Sequence, residues 1–421
     1  MAKIVYVILD GLGDRPIAAL GGRTPLEAAH KPNLDGLAAR GRQGRVTTVG
    51  PGIAPESDVA VTAMLGYDPH PYHAGRGLLE ALGMDVPFAD GNLALRGNFA
   101  TVGAGRQILD RRVGRDLTSA EAHELAEAVN RRVRLTGARF ALRASVGHRC
   151  VVVFYDDHGP LSASIGNTDP AYARVGGLGV AAADFADEIQ DCVPLDDSTQ
   201  ARRAAHLVNE FTRAARQALE DHPVNRRRRR QGKLPANAIL LRDASDHVPA
   251  VPGIAQRFGL RMACFVEMPV ERGIARMLGM GTVDVPPSGQ DASVYAQWAD
   301  RAVEALPEWD GLYIHLKGPD EAGHDGDWER KRHSIEGIDR HFFGKLLPSV
   351  LDAVVCVTAD HATPCEVGRH TDDPVPLLVS GPGVEPDGAG PFGEGSAPRG
   401  SLGDLRGIDV LPLLAKLAGR G

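Results

Sequence analysis

The apolar positions of this chain fall into two rhythms. Ile4–Leu9, Leu312–Leu316 and Val354–Thr358 are short runs of β-favouring residues with little polar alternation, each followed by acidic, glycine or proline residues. Runs of this kind read as strands buried on both faces of a parallel sheet. Val375–Val379 is a further strand candidate, and Arg149–Tyr155 alternates like a half-buried strand. Helical spacing predicts helices at Ser119–Arg132, Asp197–Leu219 and Asp409–Ala418, the first capped by Thr118 or Ser119 with acidic residues in its opening turn. The Gly- and Pro-rich stretch 381–407 reads mostly as loop. Strand-then-ligand patterning marks residues 1–84 and 249–421 and is missing from 85–248, so the middle is expected to be an inserted α/β domain.

Composition narrows the class without choosing a function. A hydrophobic content of 43 % with 24 % charged residues is that of an ordinary globular protein. A formal net charge of −7 gives no electrostatic reason to expect nucleic acid or an anionic membrane as partner, while a local basic site for a small anion stays compatible with it. No apolar run reaches the length of a transmembrane helix, and the N-terminus enters a strand directly, so the cytoplasm is the expected location. Five cysteines without regular spacing argue against a disulfide framework or a thiolate zinc site, and Cys365 reads as a buried free thiol. Arg226–Arg230 reads as a solvated loop or helix end. An oligomer is compatible with the sequence.

The chemistry lies where the apolar runs stop. Asp10, then Asp320 and His324, then Asp360 and His361 each follow such a run, and parallel strands would bring them to one sheet edge. Asp320 and His324, four apart, suit one face of a helical turn. His370 stands ahead of the strand at 375. Carboxylates mixed with imidazoles suit Mn²⁺ or Zn²⁺, and two such ions can clamp a phosphoryl group during in-line displacement. Ser57, where a loop enters a helix, is a candidate nucleophile placed to use the helix N-terminus. Singly, each signal has a plain explanation: Asp10-Gly11 as a turn, Ser57 as an N-cap, an Asp-His pair as a hydrogen-bonded couple. All four together, three of them behind strands, are hard to obtain without a metal site.

The ordered motifs resemble the cofactor-independent phosphoglycerate mutases, in their shorter archaeal-type branch, within the alkaline phosphatase superfamily. The resemblance spans nearly the whole chain and is carried by Val7–Pro16, Thr24–Ala29, Gly66–Pro69, Gly97–Thr101, Asp110-Arg111-Arg112 with Gly114-Arg115, Leu234–Asn237 and the three C-terminal ligand clusters. It implies an alkaline-phosphatase-like, mostly parallel sheet flanked by helices, split around an inserted transferase domain, with substrate enclosed between the two. One ion would be held by Asp10, Ser57, Asp360 and His361, the other by Asp320, His324 and His370. Ser57 would accept the phosphoryl group of 3-phosphoglycerate or 2-phosphoglycerate, a glycolytic and gluconeogenic exchange, and return it to the other hydroxyl. The implied cofactors are two divalent ions, Mn²⁺ first and Zn²⁺ second, with no 2,3-bisphosphoglycerate.

Such a substrate, a small phosphorylated carboxylic acid, needs donors for phosphate and carboxylate. Arg111, Arg112, Arg115, His148, Arg149 and Arg242 are the candidates, since the guanidinium fork binds two oxygens at once. Where the family pattern has Lys-Gly-Ile, this chain has Arg272-Gly273-Ile274, which adds Arg272 and leaves room for a different substrate. Three readings therefore stand beside one another. They are the mutase, a related phosphomutase or phosphohydrolase of another phosphate or phosphonate acid, and a non-catalytic binder that kept the fold. The intact seven-residue ligand set disfavours the last.

Overall fold

The computed structural model describes residues 1–72, 74–175, 178–182, 185–289 and 291–420. The chain divides into two compact units: unit 1 is Met1–His73, Ala250–Glu267 and Leu278–Gly421, and unit 2 is Ala74–Pro249 with Met268–Met277. Among the described residues, no helix is long and apolar enough to cross a membrane.

Unit 1 is built on an eight-stranded sheet. In chain order its strands are β1 (Lys3–Leu9), β2 (Gly41–Thr47), β3 (Met262–Val266), β4 (Gly281–Asp284), β5 (Gly311–Leu316), β6 (Ala353–Thr358), β7 (Val375–Ser380) and β8 (Gly403–Arg406). They lie side by side as β4-β3-β5-β1-β6-β7-β2-β8. From β4 to β6 every pairing is parallel, and β7 alone runs against its neighbours. The three apolar runs are thus the adjacent central strands β5, β1 and β6. Every residue from Ile4 to Leu9 is fully buried, which is why β1 shows no alternation. Register pairs Leu9 with Leu316 and Ile8 with Thr358, so the carboxyl ends of the three strands are level. Three helices matter beyond that edge: α1 (Ser57–Met64), α2 (Pro319–His324) and α3 (Trp328–Ile338). Proline opens α2, and Asp327 caps α3 by accepting from the Arg330 amide.

In unit 2 the strand Leu93–Val102 pairs antiparallel with Arg149–Asp156 and with Ala238–Ser245, and Ala138–Ala144 extends the sheet. Helices Ser119–Arg132 and Thr199–Glu220 join one hydrophobic core with this sheet, burying Leu125, Val129, Phe154 and Phe211. Helix Arg76–Gly83 packs closely with helix Pro269–Met277 and with the sheet. Thr118 caps the first helix in a reciprocal box with Glu121.

One surface expectation needs correction. The arginine run lies in a helix, Pro223–Arg230, and Arg228 is fully buried rather than solvated. Its guanidinium is offset by Asp116 and by Glu121 at 2.9 Å, and Nε donates to the Leu234 carbonyl at 2.8 Å. The stretch 381–407 is mostly loop, as expected, and ends in the short edge strand β8, paired with β2. All five cysteines, Cys365 included, are buried and outside any disulfide.

Candidate active site

The turn after β1 brings two distant ligands together because residue 11 is glycine. Gly11 has φ +61°, and a Cβ there would lie 2.6 Å from Asp320 Oδ1. Its amide donates to Asp360 Oδ1 at 3.1 Å, tying the end of β1 to the loop after β6. Asp10 Oδ1 and Asp360 Oδ2 lie 3.5 Å and 3.2 Å from His361 Nε2. Ser57 Oγ, at the start of α1, is 3.2 Å from the same nitrogen.

A second group adjoins the first. His370 Nε2 and His324 Nε2 each lie 3.5 Å from an oxygen of Asp320, and the His361 and His370 rings stack with centroids 3.6 Å apart. Potential ligand atoms of Asp10, Asp360 and His361, and those of Asp320, His361 and His370, each lie within 4.8 Å of one another. The structure therefore brings Asp10, Ser57, Asp320, His324, Asp360, His361 and His370 to one place, with His361 facing both groups.

The donor set fits divalent cations. Asp10 Oδ1 and Asp360 Oδ2 are buried without a hydrogen-bond partner. His324 Nδ1 donates to the Gly368 carbonyl at 3.0 Å and His370 Nδ1 to the Pro55 carbonyl at 2.9 Å, which turns each Nε2 toward Asp320. Metal-binding imidazoles are commonly oriented in this way through their second nitrogen.

The charges are also poised for a cation. Burial opposes ionisation of Asp10, yet Lys317, 2.9 Å from Oδ2, and the nearby imidazoles hold its carboxyl below the usual value. Burial, and then the Asp10 charge, push Asp360 well above it. Two adjacent buried carboxylates resist ionising together unless a positive ion sits with them. Burial lowers His361 to about 3, so it stays neutral and able to ligate. Against burial, Asp320 raises His370 to about 9.

Unit 2 carries its own anion-complementary cluster. Arg96, Arg149 and Arg242 extend from paired positions on neighbouring strands: Arg96 opposes Arg242, and Asn98 opposes Arg149. Glu80 is buried beneath them, its Oε1 3.3 Å from Nε of both Arg76 and Arg96. Asp169 accepts from Arg111 at 2.9 and 2.7 Å and from Arg242 at 2.9 Å, and Arg242 lies 4.0 Å over the Tyr172 ring. Burial and the charges of Arg149, Arg112, Arg96 and Arg242 lower His148 to about 3. Arg111, Arg112 and Arg115 line a cavity of about 240 Å³ with Asp110 and Asp187. Arg272 is half-buried on helix Pro269–Met277, its charge acting on Asp85.

Comparison with known proteins bears on this arrangement. The 2,3-bisphosphoglycerate-independent phosphoglycerate mutase of Aeropyrum pernix is 47 % identical over 99 % of this chain and 100 % of its own length. The chain belongs to the 2,3-bisphosphoglycerate-independent phosphoglycerate mutase family. The model of that family matches residues 38–225. The mutase of Methanopyrus kandleri is 40 % identical over 99 % of this chain and 97 % of its own. The solved cofactor-independent phosphoglycerate mutase of Thermoplasma acidophilum is similar with TM-score 0.65 and 34 % identity, covering 99 % of this chain and all of that one. The expected α/β fold with a mostly parallel sheet is that of this mutase family.

Sequence reading passed over several residues that support these clusters. Lys317 and His315 lay in view at the end of β5, but an apolar run hides which of its side chains faces the ligands. His315 Nε2 comes to 3.5 Å from Asp360. Arg96, Glu80 and Asp169 carried no local signal. Their role comes from the partners that sheet pairing supplies.

Proposed function

We infer that this protein interconverts 3-phosphoglycerate and 2-phosphoglycerate through a phosphoserine at Ser57, without 2,3-bisphosphoglycerate. The observation that carries the reading is the convergence of Ser57 Oγ with the ligand atoms of Asp10, Asp360 and His361 at one strand edge. One ion would be held by Asp10, Ser57, Asp360 and His361 and the other by Asp320, His324 and His370, with Mn²⁺ the first choice and Zn²⁺ the second for this mixed oxygen and nitrogen set. When bound, such ions neutralise phosphoryl oxygens and lower the pKa of a coordinated hydroxyl.

The chain's own groups do the rest. Ser57 stands at the N-terminus of α1, whose dipole favours an incoming phosphoryl group. Its Oγ–P bond forms as the bond from phosphorus to the glycerate oxygen breaks, and the reverse step delivers the group to the neighbouring hydroxyl. The Lys317 ammonium adds fixed positive charge beside Asp10. In unit 2, Arg111, Arg112, Arg115, His148, Arg149, Arg242 and Arg272 would supply donors for carboxylate and phosphate. His148, held neutral, would serve as a hydrogen-bonding group rather than a charge. We read unit 1, residues 1–73, 250–267 and 278–421, as the metal-binding, phosphoryl-transferring domain and unit 2, residues 74–249 with 268–277, as the substrate-binding insertion.

Phosphorus NMR of the Mn²⁺-loaded protein, stripped of free metal after reaction with 3-phosphoglycerate, tests the reading. The expected product is 2-phosphoglycerate without free phosphate. Free phosphate alone would make the protein a hydrolase. Ser57→Ala is expected to abolish both turnover and phosphoenzyme while leaving the fold intact, and turnover near the wild-type rate would remove Ser57 from the mechanism.

A further inference from the structure

The three imidazoles of the candidate ligand set turn Nε2 toward its carboxylates, and they are oriented in two different ways. His324 and His370 donate from Nδ1 to backbone carbonyls, which can only accept. His361 instead faces a side-chain hydroxyl: its Nδ1 is 3.1 Å from Thr363 Oγ1. A hydroxyl can donate or accept, so this contact alone leaves the His361 tautomer open. The choice is made elsewhere. Thr363 Oγ1 is 2.6 Å from Asp320 Oδ1, the length of a charge-assisted O–H···O⁻ bond. The single hydroxyl proton goes to the carboxylate, so His361 Nδ1 must carry the proton that bridges to Thr363. Nε2 is then a bare lone pair, facing Ser57, Asp10 and Asp360.

Thr363 is held firmly enough to act in this way. It is fully buried, its amide donates to the Gly13 carbonyl at 3.0 Å, and its own carbonyl accepts from Lys331 Nζ at 2.9 Å. The turn of α2 fits against it because residue 323 is glycine, where a Cβ would lie 2.3 Å from the Thr363 carbonyl oxygen.

We propose that Thr363 is a positioning residue for both candidate metal sites: its hydroxyl fixes Asp320 in one and sets the Nδ1–H tautomer of His361 in the other. Binding of an ion by Asp320 is thereby linked to the ligand quality of His361. The inference rests on the two-ion reading given above.

Two measurements on the full chain test it. In metal-free protein labelled with ¹⁵N-histidine, long-range ¹H–¹⁵N spectra report the tautomer of His361, its signal identified by loss in His361→Gln. Titration calorimetry with Mn²⁺ then compares wild type, Thr363→Val and Thr363→Ser. Wild type is expected to show Nδ1–H, Thr363→Val to bind Mn²⁺ about 10- to 100-fold more weakly, and Thr363→Ser to return close to wild type. A wild-type Nε2–H tautomer, or Mn²⁺ affinity in Thr363→Val equal to wild type, overturns the proposal. Should Thr363→Val fail to fold, a folded Thr363→Ser that binds Mn²⁺ about 10- to 100-fold more weakly than wild type overturns it equally. Wild type that takes up no Mn²⁺ refutes the two-ion reading itself and the proposal with it, a result visible before any variant is made.

Discussion

Replacing Lys331 by methionine tests what holds the floor of the metal-ligand edge. Lys331 and Asp14 are both fully buried at their side chains, with Nζ 2.9 Å from Asp14 Oδ2. Nζ also donates to the carbonyls of Gly13 at 3.1 Å and Thr363 at 2.9 Å. Methionine matches the stem and removes the charge and all three hydrogen bonds. The loss is not uniform. The Gly13 carbonyl keeps the Thr363 amide, and Asp14 keeps the amides of Arg15 and Cys365, so the main cost is a buried carboxylate without its cation. Breaking one half of a buried pair typically costs about 3–5 kcal/mol. The retained amides put the expectation at the lower end, about 3 kcal/mol.

The assay follows from the sequence. All three tryptophans, Trp298, Trp309 and Trp328, lie in unit 1, so urea unfolding followed by tryptophan fluorescence in chelator reports that unit. Lys331→Met should lower its unfolding free energy by about 3 kcal/mol. Adding Asp14→Asn should restore part of it, because the unpaired charge is then gone. A control that breaks the part-exposed pair of Arg15 and Asp373, 2.9 Å apart, should cost under about 1 kcal/mol. A Lys331→Met loss no larger than that control, or no recovery in the double variant, would refute the reasoning.

Glu394 gives a pH test. Burial raises its carboxyl to about 7 although Thr24 donates to it at 2.7 Å. A folded pKa above the unfolded value means stability that is present below the unfolded value of about 4.5 and is lost as pH rises through about 7. Between pH 5 and 8, Glu394→Gln should therefore flatten the fall of the urea midpoint, and an unchanged slope counts against the assignment. Mn²⁺ at a hundred times its dissociation constant should stabilise unit 1 by about 2.7 kcal/mol, read by the same fluorescence transition. His370→Ala should remove part of that gain, and a full gain in the variant would exclude His370 as a ligand. Asp169→Asn loosens Arg111 and Arg242 together, so KM for 3-phosphoglycerate should rise about 10-fold or more, consistent with loss of charge-assisted bonds. Unchanged KM would separate these arginines from substrate binding.

How much was legible depends on whether a residue's signal was local. The strands β1, β5 and β6 announced themselves because full burial on both faces leaves no polar alternation. Once they are parallel neighbours, Asp10, Asp320 and Asp360 must share an edge. The helix at Ser119–Arg132 was legible from its cap and period and has those bounds in the structure. Arg228 was misread because a run of arginines looks solvated until Asp116 and Glu121, more than a hundred residues earlier, are seen beside it. Nothing local marked Met268–Met277 as part of unit 2 either.

The sequence by itself determined which residues could ligate, attack or bind an anion, and that three of the ligand groups follow buried parallel strands. Those properties follow from side-chain chemistry and from periodicity along the chain. Tertiary structure alone decided that His361 faces both ligand groups, that Thr363 joins Asp320 to His361, and that Glu80 and Asp169 hold the arginines in place. Most of these are pairings between residues tens to hundreds of positions apart, created by sheet register and loop approach, and a linear pattern contains no distance across space.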